Sequence, residues 1–118
     1  MSSMMSVAPA TKLESGIAKI RERFILSLED RADEFYDLLE QLAEPGEEEF
    51  ACTGIRAKAH KLHGLAGTVG FPRIGALAAQ LENHIDLIIA GPRPLEVGFV
   101  KELLNALLDE VESHQVDA

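Results

Sequence analysis

Apolar residues recur at steps of three and four along most of the chain, the spacing of a helix face. A first series, Leu13, Ile17, Ile20, Phe24, Leu28, Phe35, Leu39 and Leu42, predicts a helical segment from about Thr11 to Ala43. It reads either as one long helix or as two with a kink near Glu29-Asp30, and Pro45-Gly46 ends it. A second series, Ala51, Ile55, Ala59, Leu62, Ala66 and Val69, predicts a helix from about Glu47 to Val69. Glu47, Glu48 and Glu49 fall in its first turn, where the helix dipole favours anions. Gly70 is placed to cap this helix, with Phe71 as the apolar residue after the cap and Pro72 in the first turn of the next helix. Ile74, Leu77, Ala78, Leu81, Ile85 and Ile88 predict a third helix from Pro72 to Ala90, stopped by Gly91-Pro92. Val97, Val100, Leu103, Leu104, Leu107, Leu108 and Val111 predict a fourth from about Leu95 to His114. No segment alternates apolar and polar residues in the manner of a half-buried strand.

Short connections between long helices make antiparallel neighbours. The predicted architecture is therefore all-α: an antiparallel up-down four-helix bundle, with room for a short additional N-terminal helix. Met1 to Ala10, composed of Ser, Met, Ala, Val and one Pro, reads as a disordered leader, and residues 11–118 as a single bundle domain.

Composition narrows the function. A chain of 118 residues fits one domain, too little for a kinase with its own nucleotide site. A net charge of −9 repels nucleic acid. The single cysteine, Cys52, forms no internal disulfide and reads as a small core or boundary residue, which fits a reducing, cytoplasmic location. Met1 to Ala10 lacks both the basic residues and the apolar run of a secretory signal. Apolar stretches no longer than Leu87 to Ala90 argue against a membrane span.

Charge is unevenly placed. From Ala51 to Leu81 the chain carries Arg56, Lys58, Lys61 and Arg73 and no carboxylate, which suggests a docking surface for an acidic partner. His60 and His63 lie in this window. At about 100° per residue, His63, Gly64 and Gly67 share the face of His60, with Thr53, Arg56 and Ala57 one and two turns earlier. Leu62 and Ala66 point elsewhere. A glycine inside a helix costs about 0.5–1 kcal/mol relative to alanine. Two on one face imply either close packing against another helix or clearance around His60. A neutral imidazole is a good nucleophile near neutral pH and can accept and return a phosphoryl group. A carboxylate or amide holding Nδ1–H would leave Nε2 free to attack.

The run Ala59-His60-Lys61-Leu62-His63-Gly64-Leu65-Ala66-Gly67-Thr68-Val69-Gly70-Phe71 resembles the signature of histidine-containing phosphotransfer (HPt) domains, Ala-His-x-Leu-Lys-Gly followed by small residues and a glycine before the next helix. The likeness extends to Leu77, to Leu81-Glu82 and to the helical layout from Leu13 to Val111. The resemblance implies that His60 is phosphorylated through Nε2. Gly64 would clear room for a receiver domain, and Glu82 would orient the imidazole. Lys61, His63, Gly67, Arg56 and Ala57 would lie near the phosphoryl group or the docked partner. His63 departs from the family's usual lysine, so charge there would depend on pH.

The family implies a phosphoryl carrier, not an enzyme, that exchanges the group with response-regulator receiver domains and sensor or hybrid histidine kinases. It also implies a free-standing monomer with no cofactor of its own, the Mg²⁺ being held by the partner receiver. No glycine-rich phosphate loop is present in the sequence. Two alternatives stand beside this reading. One is an HPt-like docking module that is not phosphorylated. The other is a metal-binding bundle using His60 and His63, with Glu82, His84 and His114 as further ligands, although one cysteine disfavours structural zinc. Outside that alternative, His84 and His114 read as surface residues.

Overall fold

The computed structural model describes the backbone of residues 2–91 and 96–115 and the side chains of residues 14–91 and 96–115. Four helices follow one another: α1 (Ser2–Leu42), α2 (Glu48–Val69), α3 (Pro72–Ala90) and α4 (Gly98–Ser113). The chain is thus all-α, as its periodicity predicts. The first segment is one continuous helix, not two. It includes Ser2–Ala10, where the sequence predicts a disordered leader. Met1, the side chain of Leu13, the Pro92-Arg93-Pro94 punctuation, Leu95 and residues 116–118 lie outside the described residues.

The turns are set by two glycines with positive φ. Gly46 adopts φ +87° after α1, and Gly70 adopts the same value after α2. Behind Gly70 the Phe71 N–H donates to the Ala66 carbonyl at 2.9 Å, and the Phe71 ring is buried. This is the left-handed cap, with its apolar seal, that the sequence predicts. Pro72 then opens α3, where its missing N–H costs nothing.

α1 packs on α2 and α4, and α3 packs on α2 and α4. Cross-helix pairs show the antiparallel sense. Glu34 meets Lys58, while Gly54 approaches Leu38, across α1 and α2. Arg56 meets Asp86 and His60 meets Glu82 across α2 and α3. The Glu34–Lys58 pair is exposed, and the lysine holds the Glu34 carboxyl below its ordinary value. Its small contribution is present above the usual carboxylate range and lost as pH falls through the lowered value. The Tyr36 hydroxyl donates to Glu112, tying α1 to α4 and raising the phenol's pKa.

The core follows the apolar stripes. Phe24, Leu28 and Phe35 from α1 meet Ile55 and Leu62 from α2, Ile74, Leu81 and Ile85 from α3, and Leu104 and Leu107 from α4. Cys52 is buried among them, and burial raises its thiol pKa. Two predicted core residues are not in it: Ile17 is 47% exposed and Ile20 53% exposed. At 41 residues, α1 outlasts its 16- to 22-residue partners, so its stripe continues past the helices that cover it. Leu39, Leu77, Ile88 and Val97 are half-buried against the core.

Leu62 is fully buried on the face of α2 opposite His60. Leu62→Ala is expected to cost about 2–5 kcal/mol, read as a lower urea midpoint. A midpoint unchanged within error would show that α2 is not anchored through this residue.

Candidate functional site

α2 and α3 lie antiparallel and close together. Gly75 of α3 is buried, and a Cβ there would stand 3.6 Å from the Gly67 nitrogen and 3.7 Å from the His63 carbonyl. A Cβ there would make ordinary van der Waals contact, so the two backbones run close at this point without requiring a glycine. The approach brings Glu82, two turns along α3, opposite His60 on α2.

His60 Nδ1 and Glu82 Oε1 stand 2.8 Å apart. An ionised carboxylate only accepts, so this bond places the proton on Nδ1 and leaves the Nε2 lone pair free. The imidazole is 66% exposed, whereas the Glu82 side chain is only 12% exposed. A partner can therefore reach the ring without reaching the carboxylate that orients it. His63 is also exposed, and its Nδ1 lies 3.9 Å from Glu82 Oε2, too far for a hydrogen bond.

Gly64 and Gly67 stand on the same exposed face, and a Cβ on either would meet nothing within 4 Å. Close packing of the fold does not require either glycine. Of the two reasons the sequence offered, the structure removes internal packing and leaves open space beside the imidazole. Ala57, Lys61 and Leu65 are exposed on α2 near His60, and together with Arg31 and Lys58 they line a shallow groove towards α1.

The electrostatics differ from the sequence picture. Three of the four cations in the basic window are paired with carboxylates from other helices: Arg56 with Asp86, Lys58 with Glu34, and Arg73 with Glu110. Lys61 stands outside these pairs among the described residues. The window is thus largely neutralised, because charges distant in sequence become neighbours in the bundle. Asp86 was missed by sequence reasoning. Its signal was present, four residues after Glu82 and so on the same face of α3.

The remaining histidines go elsewhere. His84 packs edge-on against Phe99 with ring centroids 4.7 Å apart, and its Nε2 is buried without a hydrogen-bond partner. His114 Nε2 lies 2.8 Å from Glu110 Oε2, and its ring abuts Phe71. Both are half-buried, not the surface residues the sequence suggested. Neither joins His60, so the ligand set imagined for a metal-binding bundle is not assembled. Among the described residues no three His, Cys, Asp or Glu side chains are grouped to hold a metal ion. No described helix is long and apolar enough to cross a membrane.

Comparison with curated proteins and with solved structures finds no match. A family model does match: residues 19–114 fit the model described as the Hpt domain.

Proposed function

Because the chain belongs to the Hpt domain family, whose members carry phosphoryl groups in two-component phosphorelays, we propose that His60 is the residue that accepts and returns the phosphoryl group. The donor is the phospho-aspartate of a receiver domain or a histidine kinase, and the acceptor is the aspartate of a response-regulator receiver. The observation that carries this reading is the 2.8 Å contact between Nδ1 of a largely exposed His60 and a sheltered Glu82.

In the forward step the Nε2 lone pair forms a bond to phosphorus. The bond from phosphorus to the aspartyl oxygen breaks, and its electrons stay on the departing carboxylate. The ring keeps its Nδ1 proton and becomes cationic. Glu82, hydrogen-bonded to that proton, neutralises the charge where it develops. In the return step an aspartate oxygen attacks phosphorus, and the N–P electrons restore the neutral ring. Gly64 leaves the space through which the receiver's active site approaches. Lys61 and His63 are assigned to the neighbourhood of the incoming charge, and Ala57 and Gly67 to the docked surface. The chain needs no metal of its own in this scheme, since the Mg²⁺ belongs to the receiver's acidic pocket.

The test is phosphotransfer from a phosphorylated receiver or hybrid kinase to the purified protein. The expected product is an acid-labile, alkali-stable label on His60. A protein that binds several phosphorylated donors yet takes no label is a docking module instead.

His63 gives a second expected result. A lysine keeps its charge at pH 6 and pH 8, whereas an imidazole is ordinarily charged only at the lower value. His63→Lys should therefore change phosphohistidine lifetime more at pH 8 than at pH 6. Equal effects at both pH values rule out a charge-based role for His63.

A further inference from the structure

We propose that Arg56 is a positioning residue: anchored by Asp86, its guanidinium holds the Glu82 carboxylate turned towards His60 Nδ1. The inference builds on His60 as the phosphoryl acceptor, and it assigns Arg56 a role inside the protein in place of one at the docked surface.

The geometry forms two rungs. Arg56 and His60 stand one turn apart on α2, and Glu82 and Asp86 one turn apart on α3. On the upper rung Arg56 Nε meets Asp86 Oδ1 at 2.5 Å. On the lower rung His60 Nδ1 meets Glu82 Oε1 at 2.8 Å. The rungs are joined by the guanidinium, whose Nη2 lies 3.9 Å from Glu82 Oε1. One carboxylate oxygen thus sits between an imidazole N–H and a cation.

This arrangement answers a cost. Glu82 is mostly withdrawn from water, and a withdrawn carboxylate needs hydrogen bonds or an opposite charge in place of its lost solvation. His60 supplies a hydrogen bond, and His63 is too distant to supply another. A second carboxylate, Asp86, stands one turn away on the same helix, and like charges at that spacing repel. Arg56 is the cation that faces both acids.

Asp86 also explains why Arg56 does not capture Glu82 outright. A guanidinium offers a planar fork of donors and takes carboxylates in paired hydrogen bonds. With Nε committed to Asp86, the fork stops short of Glu82 Oε1. It attracts that oxygen without forming the bond that would compete with the imidazole. Removing Arg56 loosens Glu82, and removing Asp86 frees Arg56 to take Glu82 from His60. Both changes erode the same Nδ1–H tautomer.

The test uses the full chain with Arg56→Gln, Arg56→Lys and Asp86→Asn. The first readout is the ¹⁵N NMR tautomer ratio of the unphosphorylated His60 ring, which needs no partner. The second is the rate of phosphorylation by a phosphorylated receiver domain. Arg56→Gln and Asp86→Asn are expected to lower the Nδ1–H fraction and to slow labelling by about threefold, the scale of an exposed ion pair. Arg56→Lys, which keeps a cation beside Glu82, is expected to retain most of both. An unchanged tautomer ratio in Arg56→Gln, with weaker donor binding, makes Arg56 a partner contact and overturns the proposal. So does an Arg56→Lys protein as impaired as Arg56→Gln. If no donor labels the wild-type protein, the phosphoacceptor reading fails by itself, while the tautomer ratio still decides the role of Arg56.

Discussion

His60→Gln abolishes phosphoryl labelling and leaves the bundle folded. The two halves of that expectation have separate causes. The imidazole is largely exposed, so its loss changes stability by no more than about 0.5 kcal/mol, the usual range for a surface position. Glutamine keeps an N–H within reach of Glu82 but has no basic nitrogen with which to form an N–P bond. Labelling should therefore fall at least about a hundredfold, as for loss of a covalent nucleophile. His63 does not substitute, because no carboxylate fixes its tautomer. The measurement is acid-labile label per protein after incubation with a phosphorylated donor, with the melting temperature beside it. Undiminished labelling of a folded His60→Gln protein would move the acceptor to another residue and sink the assignment.

Gly64→Gln separates stability from transfer in the opposite direction. Gly64 lies inside α2, is exposed, and a Cβ there has no neighbour within 4 Å. Replacing it should stabilise the helix by about 0.5–1 kcal/mol, since glycine is a poor helix residue. For a domain of this size that is a rise of about 2–5 °C in melting temperature. The added side chain also fills the space one turn beyond His60, where a partner must bring phosphorus to about 3 Å from Nε2. Transfer should drop at least about tenfold. A more stable protein that transfers less readily identifies Gly64 as clearance for a partner. A more stable protein with full transfer shows that the glycine has no such role.

The cations of α2 and the start of α3 show where sequence reading fails for a physical reason. Arg56, Lys58, Lys61 and Arg73 form a basic run along the chain because the carboxylates that neutralise three of them lie far away in sequence. Glu34 is 24 residues from its lysine, Asp86 is 30 from Arg56, and Glu110 is 37 from Arg73. A window of sequence reports charge along one helix. A surface reports charge from every helix that contributes to it.

The sequence by itself determined the four helices apart from the start of the first, their apolar stripes, the left-handed cap at Gly70 with Phe71 behind it, and the face that joins His60 to Gly64 and Gly67. These are legible because a helix repeats every 3.6 residues and a cap needs particular residues at fixed offsets, so both are written in neighbouring positions. The resemblance named Glu82 as the residue that orients His60; only the tertiary structure put its carboxylate within 2.8 Å of the ring. The bundle also decided that Asp86 takes Arg56, that packing makes no demand on Gly64, and that Ile17 and Ile20 outrun the core. Each of these depends on how one helix is rotated and shifted against another. That register is fixed by packing across the bundle, through contacts between residues that local periodicity never relates.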